Sequence, residues 1–544
     1  MNKYFFLINA IVLSVFLSCQ NPLKKTEIRT VFRYNESKGI SSLDPAFANS
    51  QRLMWPDFQL YNGLLEMDDS LKICPAIANR WEISNDGLLY TFYLRRDVFF
   101  HDDPAFKGGK GRRVIASDFV YSFSRILDPK IASPGAWVFN NVDQSNINTC
   151  FHAVNDSVFQ IKLKKRFAAF PQLLTMVYCS VVPTEVIKFY SNDFRSHPIG
   201  TGPFMFKTWR EGEKLVFVKN PNYFQKDSSG SRLPYIDAVS ITFINDKQSE
   251  FLEFIKGNLD FLSGVQTAYR NELLTRNGKL NPKYQPRFNM SVLPYLNTEY
   301  LGCMIDPSKM PDNPLLNKKL RKAINYGFDR AKMLKYLRNN IGTPAYWGII
   351  PKGLPGYSED LTGYIYNPEL SAKLLTDAGF PNGEGLPDIT LLTTADYLDL
   401  CEFIQHDLAQ INIHVKIEVS TGATFRDMIA NSKVQFFRAS WIADYPDAEN
   451  YLSLFYSLNF SPKGPNYSHF KNADFDKLYE ASVSENQQIN RIMLYQKMNS
   501  IIVEEAPIVP LFYDKVVRFY PNNVSCFNGN PLNILKLKYV KKVN

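Results

Sequence analysis

The stretch from residue 198 to residue 224, PIGTGPFMFKTWREGEKLVFVKNPNYF, carries the clearest local signal in this chain of 544 residues. Two apolar runs, Phe204–Phe206 and Leu215–Val218, flank the turn Glu211-Gly212-Glu213. This pattern predicts two strands joined by a turn. Gly200 and Gly202 precede the first strand, and we expect them to serve the turn geometry and not a ligand.

Strands and helices alternate on both sides of this stretch. Strands are predicted where polar and apolar residues alternate, and helices where apolar residues recur every three or four positions. The predicted strands are 81–83, 89–94, 98–100, 236–244, 389–393, 414–419, 434–439, 509–513 and 516–520. The predicted helices are 117–128, 248–257, 317–325, 332–337, 368–378 and 398–410. This alternation predicts a mixed α/β fold.

The N-terminal residues have the features of a secretory signal. Lys3 precedes an apolar run from Tyr4 to Leu17, which is shorter than the roughly 20 residues that a membrane-spanning helix needs. Cys19 follows at the expected cleavage site and resembles the lipobox of bacterial lipoproteins, in which the cysteine is acylated. We predict a signal peptide over residues 1–18 and a lipidated linker over residues 19–30, with an ordinary cleaved signal as the alternative.

The composition indicates a large globular body of two to four domains. Hydrophobic residues make up 45% of the chain and aromatic residues 14%, enough for a sizeable core. The net charge of +9 is spread along the chain, and its densest cluster, Lys318 to Lys322, is expected on a solvated helix face, so we predict no nucleic-acid partner. The seven cysteines show no metal or redox spacing, and disulfides and buried thiols both remain open.

The sequence contains no motif that indicates catalysis. It has no nucleophile elbow, no His-Glu pair at zinc spacing and no phosphate-binding glycine loop. The six histidines are not spaced as close metal ligands. We therefore expect no enzymatic activity, no cofactor and no metal.

Beyond these patterns, short motifs occur in a characteristic order along nearly the whole chain. Among them are Ser42-Leu43-Asp44-Pro45-Ala46, the PIGTGPF segment already quoted, and Trp441-Ile442-Ala443-Asp444-Tyr445-Pro446-Asp447. Further motifs occupy residues 60–65, 75–81, 84–92, 100–102, 117–123, 220–224, 320–330, 378–381 and 506–511. Together they resemble the extracytoplasmic solute-binding proteins, family 5, which serve the ABC importers of oligopeptides, dipeptides and nickel.

The resemblance implies an α/β fold of the periplasmic-binding-protein type II, with two lobes, a hinge and an extra domain. The first lobe would comprise residues 31–61, 190–268 and 503–544, and the extra domain would be residues 62–189. The second lobe would comprise residues 269–502. In such a fold the lobes close on a ligand held between them.

The same resemblance implies a function in peptide import. The chain would bind a peptide outside the cytoplasm, in the periplasm or at the cell surface, and deliver it to the permease subunits of an ABC transporter. A lipid anchor would hold it at the membrane, and a monomer is expected. A carrier of nickel, haem or another solute on the same fold, or a receptor that senses peptides, is the alternative.

A peptide carrier must bind an ammonium group at one end of its ligand and a carboxylate at the other. Asp444 matches the family position that pairs with the ammonium, and Arg438 matches one that meets the carboxylate. Trp441 and Tyr445 could line side-chain pockets, and core packing is the alternative for Trp441. Asn49 stands where some oligopeptide binders carry an acid, so that acidic contact is lost here.

Overall fold

The computed structural model describes residues 30–145 and 150–543. Its strands, in chain order, are β1 (Val31–Asn35), β2 (Leu65–Met67), β3 (Ile73–Pro75), β4 (Ala78–Ile83), β5 (Leu89–Leu94), β6 (Phe151–Asn155), β7 (Val158–Lys162), β8 (Phe204–Arg210), β9 (Lys214–Lys219), β10 (Ala238–Thr242), β11 (Leu262–Ser263), β12 (Phe288–Cys303), β13 (Thr343–Pro344), β14 (Ile389–Thr393), β15 (Val415–Val419), β16 (Phe436–Ile442), β17 (Ile508–Pro521), β18 (Val524–Ser525) and β19 (Lys541–Lys542).

The α-helices are α1 (Gln51–Leu60), α2 (Ala116–Leu127), α3 (Phe170–Leu173), α4 (Thr184–Tyr190), α5 (Lys247–Lys256), α6 (Arg270–Leu273), α7 (Lys318–Tyr326), α8 (Arg330–Leu337), α9 (Pro368–Asp377), α10 (Leu398–Ala409), α11 (Gly422–Ala430), α12 (Glu449–Leu452), α13 (Ala473–Ser484) and α14 (Gln488–Glu505). Most predicted elements appear within a few residues of their expected bounds. The predicted strand 98–100 does not form, because Phe99 makes only an isolated bridge with Arg113.

Two four-stranded sheets share one continuous hydrophobic core. The first sheet has the order β1-β10-β9-β8 and contains the predicted β8–β9 hairpin, while the second sheet has the order β4-β5-β7-β6. Phe32 of the first sheet and Phe92 of the second are both fully buried in this first core. A Cβ atom added at Gly202 would lie only 2.3 Å from the carbonyl carbon of Leu60, so this glycine is explained by close backbone approach.

The remaining large sheet, called the long sheet below, has the order β11-β17-β12-β16-β14-β15, with β13 paired to β17. The two largest of the cores that cover it are separate from each other. Leu301, Phe436 and Leu391 pack with α7, α8 and α10 in one of them. Tyr300 and Ile508 pack with α13 and α14 in the other. Helices on both faces leave the edges of this sheet as its accessible parts.

Strand β17 differs from the sequence prediction in two ways. The two predicted strands, 509–513 and 516–520, form one continuous strand, Ile508–Pro521. The range 503–544 was expected in the first lobe, but β17 pairs with β12 in the long sheet. Apolar residues of β17 are buried there, since Val509 and Leu511 lie in a core of the long sheet. The chain returns to the first core only afterwards, through Phe527, Leu535 and Leu537.

The basic cluster at 318–322 is only partly a solvated helix face. Lys318 and Lys322 form ion pairs with Glu504. Arg321 is 4% exposed, and its guanidinium donates to the carbonyl oxygens of Leu315 and Ala506. This arginine therefore ties α7 to the end of α14.

Candidate functional site

The sequence-predicted residues Arg438, Trp441 and Asp444 lie at one edge of the long sheet. Strands β14, β15 and β16 run parallel to one another, so their carboxyl ends meet at that edge. Ligands of open α/β sheets bind in the crevice outside the carboxyl ends of the strands. The fold thus places these residues where a binding site is expected.

One buried amide, Asn450, fixes the loop that carries Asp444. Its Oδ1 accepts hydrogen bonds from the Trp441 indole Nε1 at 2.8 Å and from the Asp444 backbone nitrogen at 3.1 Å. Trp441 is half-buried and packs against the core that contains Tyr300. Trp441 therefore supports the loop that carries Asp444.

The Asp444 carboxylate is exposed and has no ion-pair partner within residues 30–145 and 150–543. Its one side-chain hydrogen bond there comes from Asn450 Nδ2 at 3.4 Å. Desolvation by the surrounding protein nevertheless raises the pKa of Asp444 to about 6. A carboxylate whose pKa is shifted by desolvation is a candidate for a functional site.

Tyr178, from the region that packs with the first core, lies near this carboxylate. Burial, followed by the charge of Asp444, raises the pKa of Tyr178 above its usual value. Asn49 belongs to the same side of the molecule. It is exposed, and the adjacent Ala48 packs with Val177, the neighbour of Tyr178.

Tyr445 points away from Asp444 and into the first core. It is only 4% exposed, and its ring lies 6.4 Å from that of Trp137. Its hydroxyl donates to the buried carboxylate of Glu449. The structure thus places Tyr445 in a buried contact between the long sheet and the first core, and not in the wall of a side-chain pocket.

Arg438 has an internal partner that the sequence did not reveal. Its guanidinium forms an ion pair with Glu299, and the two side chains are 12% and 5% exposed. The ring of Tyr397 lies 3.2 Å from the guanidinium carbon. Burial lowers the pKa of Arg438, but the Glu299 and Tyr397 groups more than offset this, and the net pKa is raised.

The regular pairing of β12 with β16 brings Glu299 to this position, next to a β-bulge in the pairing of β12 with β17. The pairing of β12 with β17 shifts its register between Pro294 and Thr298. Bulges of this kind redirect side chains and are common beside functional sites. Asn297, within the shifted segment, donates to Glu299 at 3.1 Å and so fixes the carboxylate. The only sequence signal for this arrangement was a single acid in a strand that has no other charged residue.

A second ion pair lies near the first. Arg338 contacts Asp514 at 2.7 Å, and both groups act on the pKa of Tyr397. The pKa of Tyr397 itself is raised, first by burial and then by the charge of Glu299. The edge of the long sheet is therefore lined by paired charges, with Asp444 as an exception.

Two cavities of the described structure lie away from these residues. One of about 550 Å³ is lined by residues that include Glu66, Cys74, Cys526 and Lys538, and one of about 60 Å³ lies next to it. Neither contains a predicted site residue. No group of three or more His, Cys, Asp or Glu side chains arranged for a metal ion occurs in the described ranges.

The predicted signal peptide and the predicted lipid attachment at Cys19 lie outside the residues that the structure describes. Within the described part of the chain, no helix is long and apolar enough to span a membrane.

Comparison with known proteins identifies the class. Residues 72–462 match the family described as bacterial extracellular solute-binding proteins, family 5 middle region. The chain belongs to this family, and both the resemblance seen in the sequence and the two-lobed α/β fold that it implied are confirmed.

Individual relatives are known by different ligands. The chain is 28% identical to heme-binding protein A of Haemophilus influenzae over 469 residues, which cover 83% of this chain and 81% of that protein. It is 25% identical to the glutathione-binding protein GsiB of Salmonella choleraesuis over 494 residues, 90% of each chain. It resembles the structure of the ABC transporter-associated periplasmic binding protein DppA from Helicobacter pylori in complex with the peptide STSA, with a TM-score of 0.78, 25% identity, and coverage of 95% of this chain and 99% of that one.

Proposed function

We propose that this solute-binding protein captures peptides between its two lobes and holds the peptide ammonium on Asp444. The observation that carries the proposal is the carboxylate of Asp444, exposed at the carboxyl edge of parallel strands and without an ion-pair partner among the described residues. An ammonium group would complete a charge-assisted hydrogen bond there. The peptide in the DppA complex supports this ligand class.

The protein acts as a carrier and not as an enzyme in this proposal. It would return its ligand unchanged to the permease subunits of an ABC importer. Acylation at Cys19 would hold it, as a monomer, at the membrane outside the cytoplasm. The family match to extracellular solute-binding proteins supports this location.

Calorimetry with a single substitution tests the role of Asp444. Asp444→Asn should weaken the binding of di-, tri- or tetra-alanine by about 2–5 kcal/mol, because the ligand ammonium then stays uncompensated in the site. Asp312→Asn, at an exposed acid remote in sequence from the site, is the matched control and should leave binding unchanged. Equal affinity of the Asp444→Asn variant and the wild type would exclude Asp444 as the anchor.

Haem remains the second candidate because of the similarity to heme-binding protein A. Native mass spectrometry of the purified protein separates the two ligand classes, since released peptides and released haem differ in mass. A haem mass would replace the peptide proposal and leave the fold assignment intact.

A further inference from the structure

The ion pair between Glu299 and Arg438 changes what the second end of the site can bind. The sequence pattern suggested that Arg438 meets the carboxylate of the ligand. In the structure the guanidinium is paired with Glu299, covered by Tyr397 at 3.2 Å, and only 12% exposed. A ligand carboxylate at Arg438 would therefore have to share the guanidinium with Glu299 or displace it.

Displacement of Glu299 is unfavourable for two reasons. Its side chain is 5% exposed, so a displaced carboxylate would remain buried and lose its counter-charge. It is also held in place, because Asn297 donates to it at 3.1 Å from the same strand. Both residues belong to β12, which is paired on both sides, to β16 and to β17.

The two ends of the site therefore differ in net charge. Asp444 is an acid without an ion-pair partner in the described chain, whereas Arg438 and Glu299 together are neutral. A ligand with one ammonium group matches this distribution. A ligand that also places a free carboxylate at Arg438 would meet Glu299 as a like charge.

We propose that Glu299 determines the ligand class of this site. It keeps Arg438 neutralised, so the site accepts ligands that bring an ammonium to Asp444 and no free carboxylate to Arg438, such as peptides whose C-terminal carboxylate lies beyond the ion pair or is amidated. This inference rests on the proposed function, because it takes a peptide as the ligand.

Alanine peptides with free and amidated C-termini test the inference. Di-, tri- and tetra-alanine are titrated by calorimetry, each as the acid and as the amide, so that every register of the carboxylate is sampled. Wild-type protein should bind the acid no more tightly than the amide at each length. Glu299→Gln keeps the side-chain shape but frees Arg438, and should bind the acid of one length about tenfold more tightly than its amide, the gain of one charge-assisted hydrogen bond.

A double variant keeps the test decisive if Glu299→Gln does not fold. Glu299→Gln with Arg438→Gln removes both charges and leaves the net charge of the site unchanged. Its ratio of acid to amide affinity should equal that of the wild type. A loss of about tenfold confined to the acids would show that Arg438 holds the carboxylate, and would overturn the inference.

The outcomes also separate this inference from the proposed function. One outcome is that peptides bind and Asp444→Asn weakens that binding, while Glu299→Gln leaves the ratio of acid to amide affinity as it is in the wild type. In that case the inference about Glu299 is wrong and the proposed function stands. If no alanine peptide binds the wild type at any length, the proposed function and the inference that rests on it are both rejected.

Discussion

Asp444 and Arg438 stand six positions apart in the chain, at the same edge of the long sheet, yet their surroundings are opposite. Asp444 is exposed and lacks an ion-pair partner in the described structure, whereas Arg438 is largely covered and paired with Glu299. The difference shows that a residue at a matching family position is not always free to bind a ligand. Charge available for a ligand depends on what the rest of the chain brings to the same place.

The largest effect should come from breaking the buried ion pair. Arg438→Gln should lower the free energy of unfolding by about 3–5 kcal/mol, because it leaves Glu299 buried without a counter-charge. Urea titration of the ligand-free protein measures this loss. Asp444→Asn is the matched comparison and should not lower the free energy of unfolding at pH 7, because the carboxylate is unpaired and its desolvation already disfavours the folded state. Equal losses in the two variants would contradict the contrast between them.

The next effect is a dependence of peptide affinity on pH. Burial raises the pKa of Asp444 to about 6, above its usual value, so the folded protein holds this proton more tightly than the unfolded chain. Only the ionised form attracts an ammonium group. Affinity should therefore be fully present above pH 7 and fall about tenfold by pH 5. Calorimetry across this range checks it, and affinity that rises on acidification would refute the assignment.

The sign for stability is opposite to the sign for binding. Because the folded pKa of Asp444 lies above the unfolded value, this group lowers the stability of the ligand-free protein as the pH rises from the unfolded pKa to about 6. In the Asp444→Asn variant this contribution should disappear, as should the loss of affinity between pH 7 and pH 5.

A smaller effect on peptide affinity is expected at Trp441, which supports the loop that carries Asp444. Trp441→Phe keeps an aromatic ring but removes the hydrogen bond to Asn450 at 2.8 Å. Peptide affinity should fall by about 1 kcal/mol, the value of one such bond. Trp347→Phe offers a control at a tryptophan outside this loop. A loss as large as that of Asp444→Asn would mean that the Trp441 indole contacts the ligand directly.

The smallest effect should come from Asn49, across from the long sheet. Asn49→Asp would restore the acid that some oligopeptide binders carry there. Since the position is exposed, the gain for a lysine-containing tripeptide should be about 0.2–1 kcal/mol over its alanine counterpart. Calorimetry with the two peptides measures it. An equal gain for both peptides would show that the new charge acts on the peptide ammonium and not on the side chain.

Much of this architecture could be predicted from local patterns. The periodicity of 389–393, 398–410 and 414–419 was sufficient for β14, α10 and β15, and the following loop motif located Asp444. These features depend on residues that are neighbours in the chain.

The partner of Arg438 could not be found in this way. Glu299 lies 139 positions away, and the two meet only because Leu301 of β12 pairs with Arg438 of β16. Such a register depends on tertiary pairing. The continuity of β17 was missed for a similar reason, because Asp514 and Lys515 looked like an interruption. The structure instead pairs Lys515 with Pro294, at the start of the β12 bulge.

N-acetylation of the ligand tests the central role of Asp444 most directly. Trialanine and N-acetyl-trialanine would be titrated by calorimetry at pH 7.5 into the wild type and into Asp444→Asn. In the wild type, acetylation should weaken binding at least about tenfold, and in the variant the two peptides should bind alike. Equal affinity for both peptides in the wild type would contradict the assignment of Asp444 as the ammonium anchor.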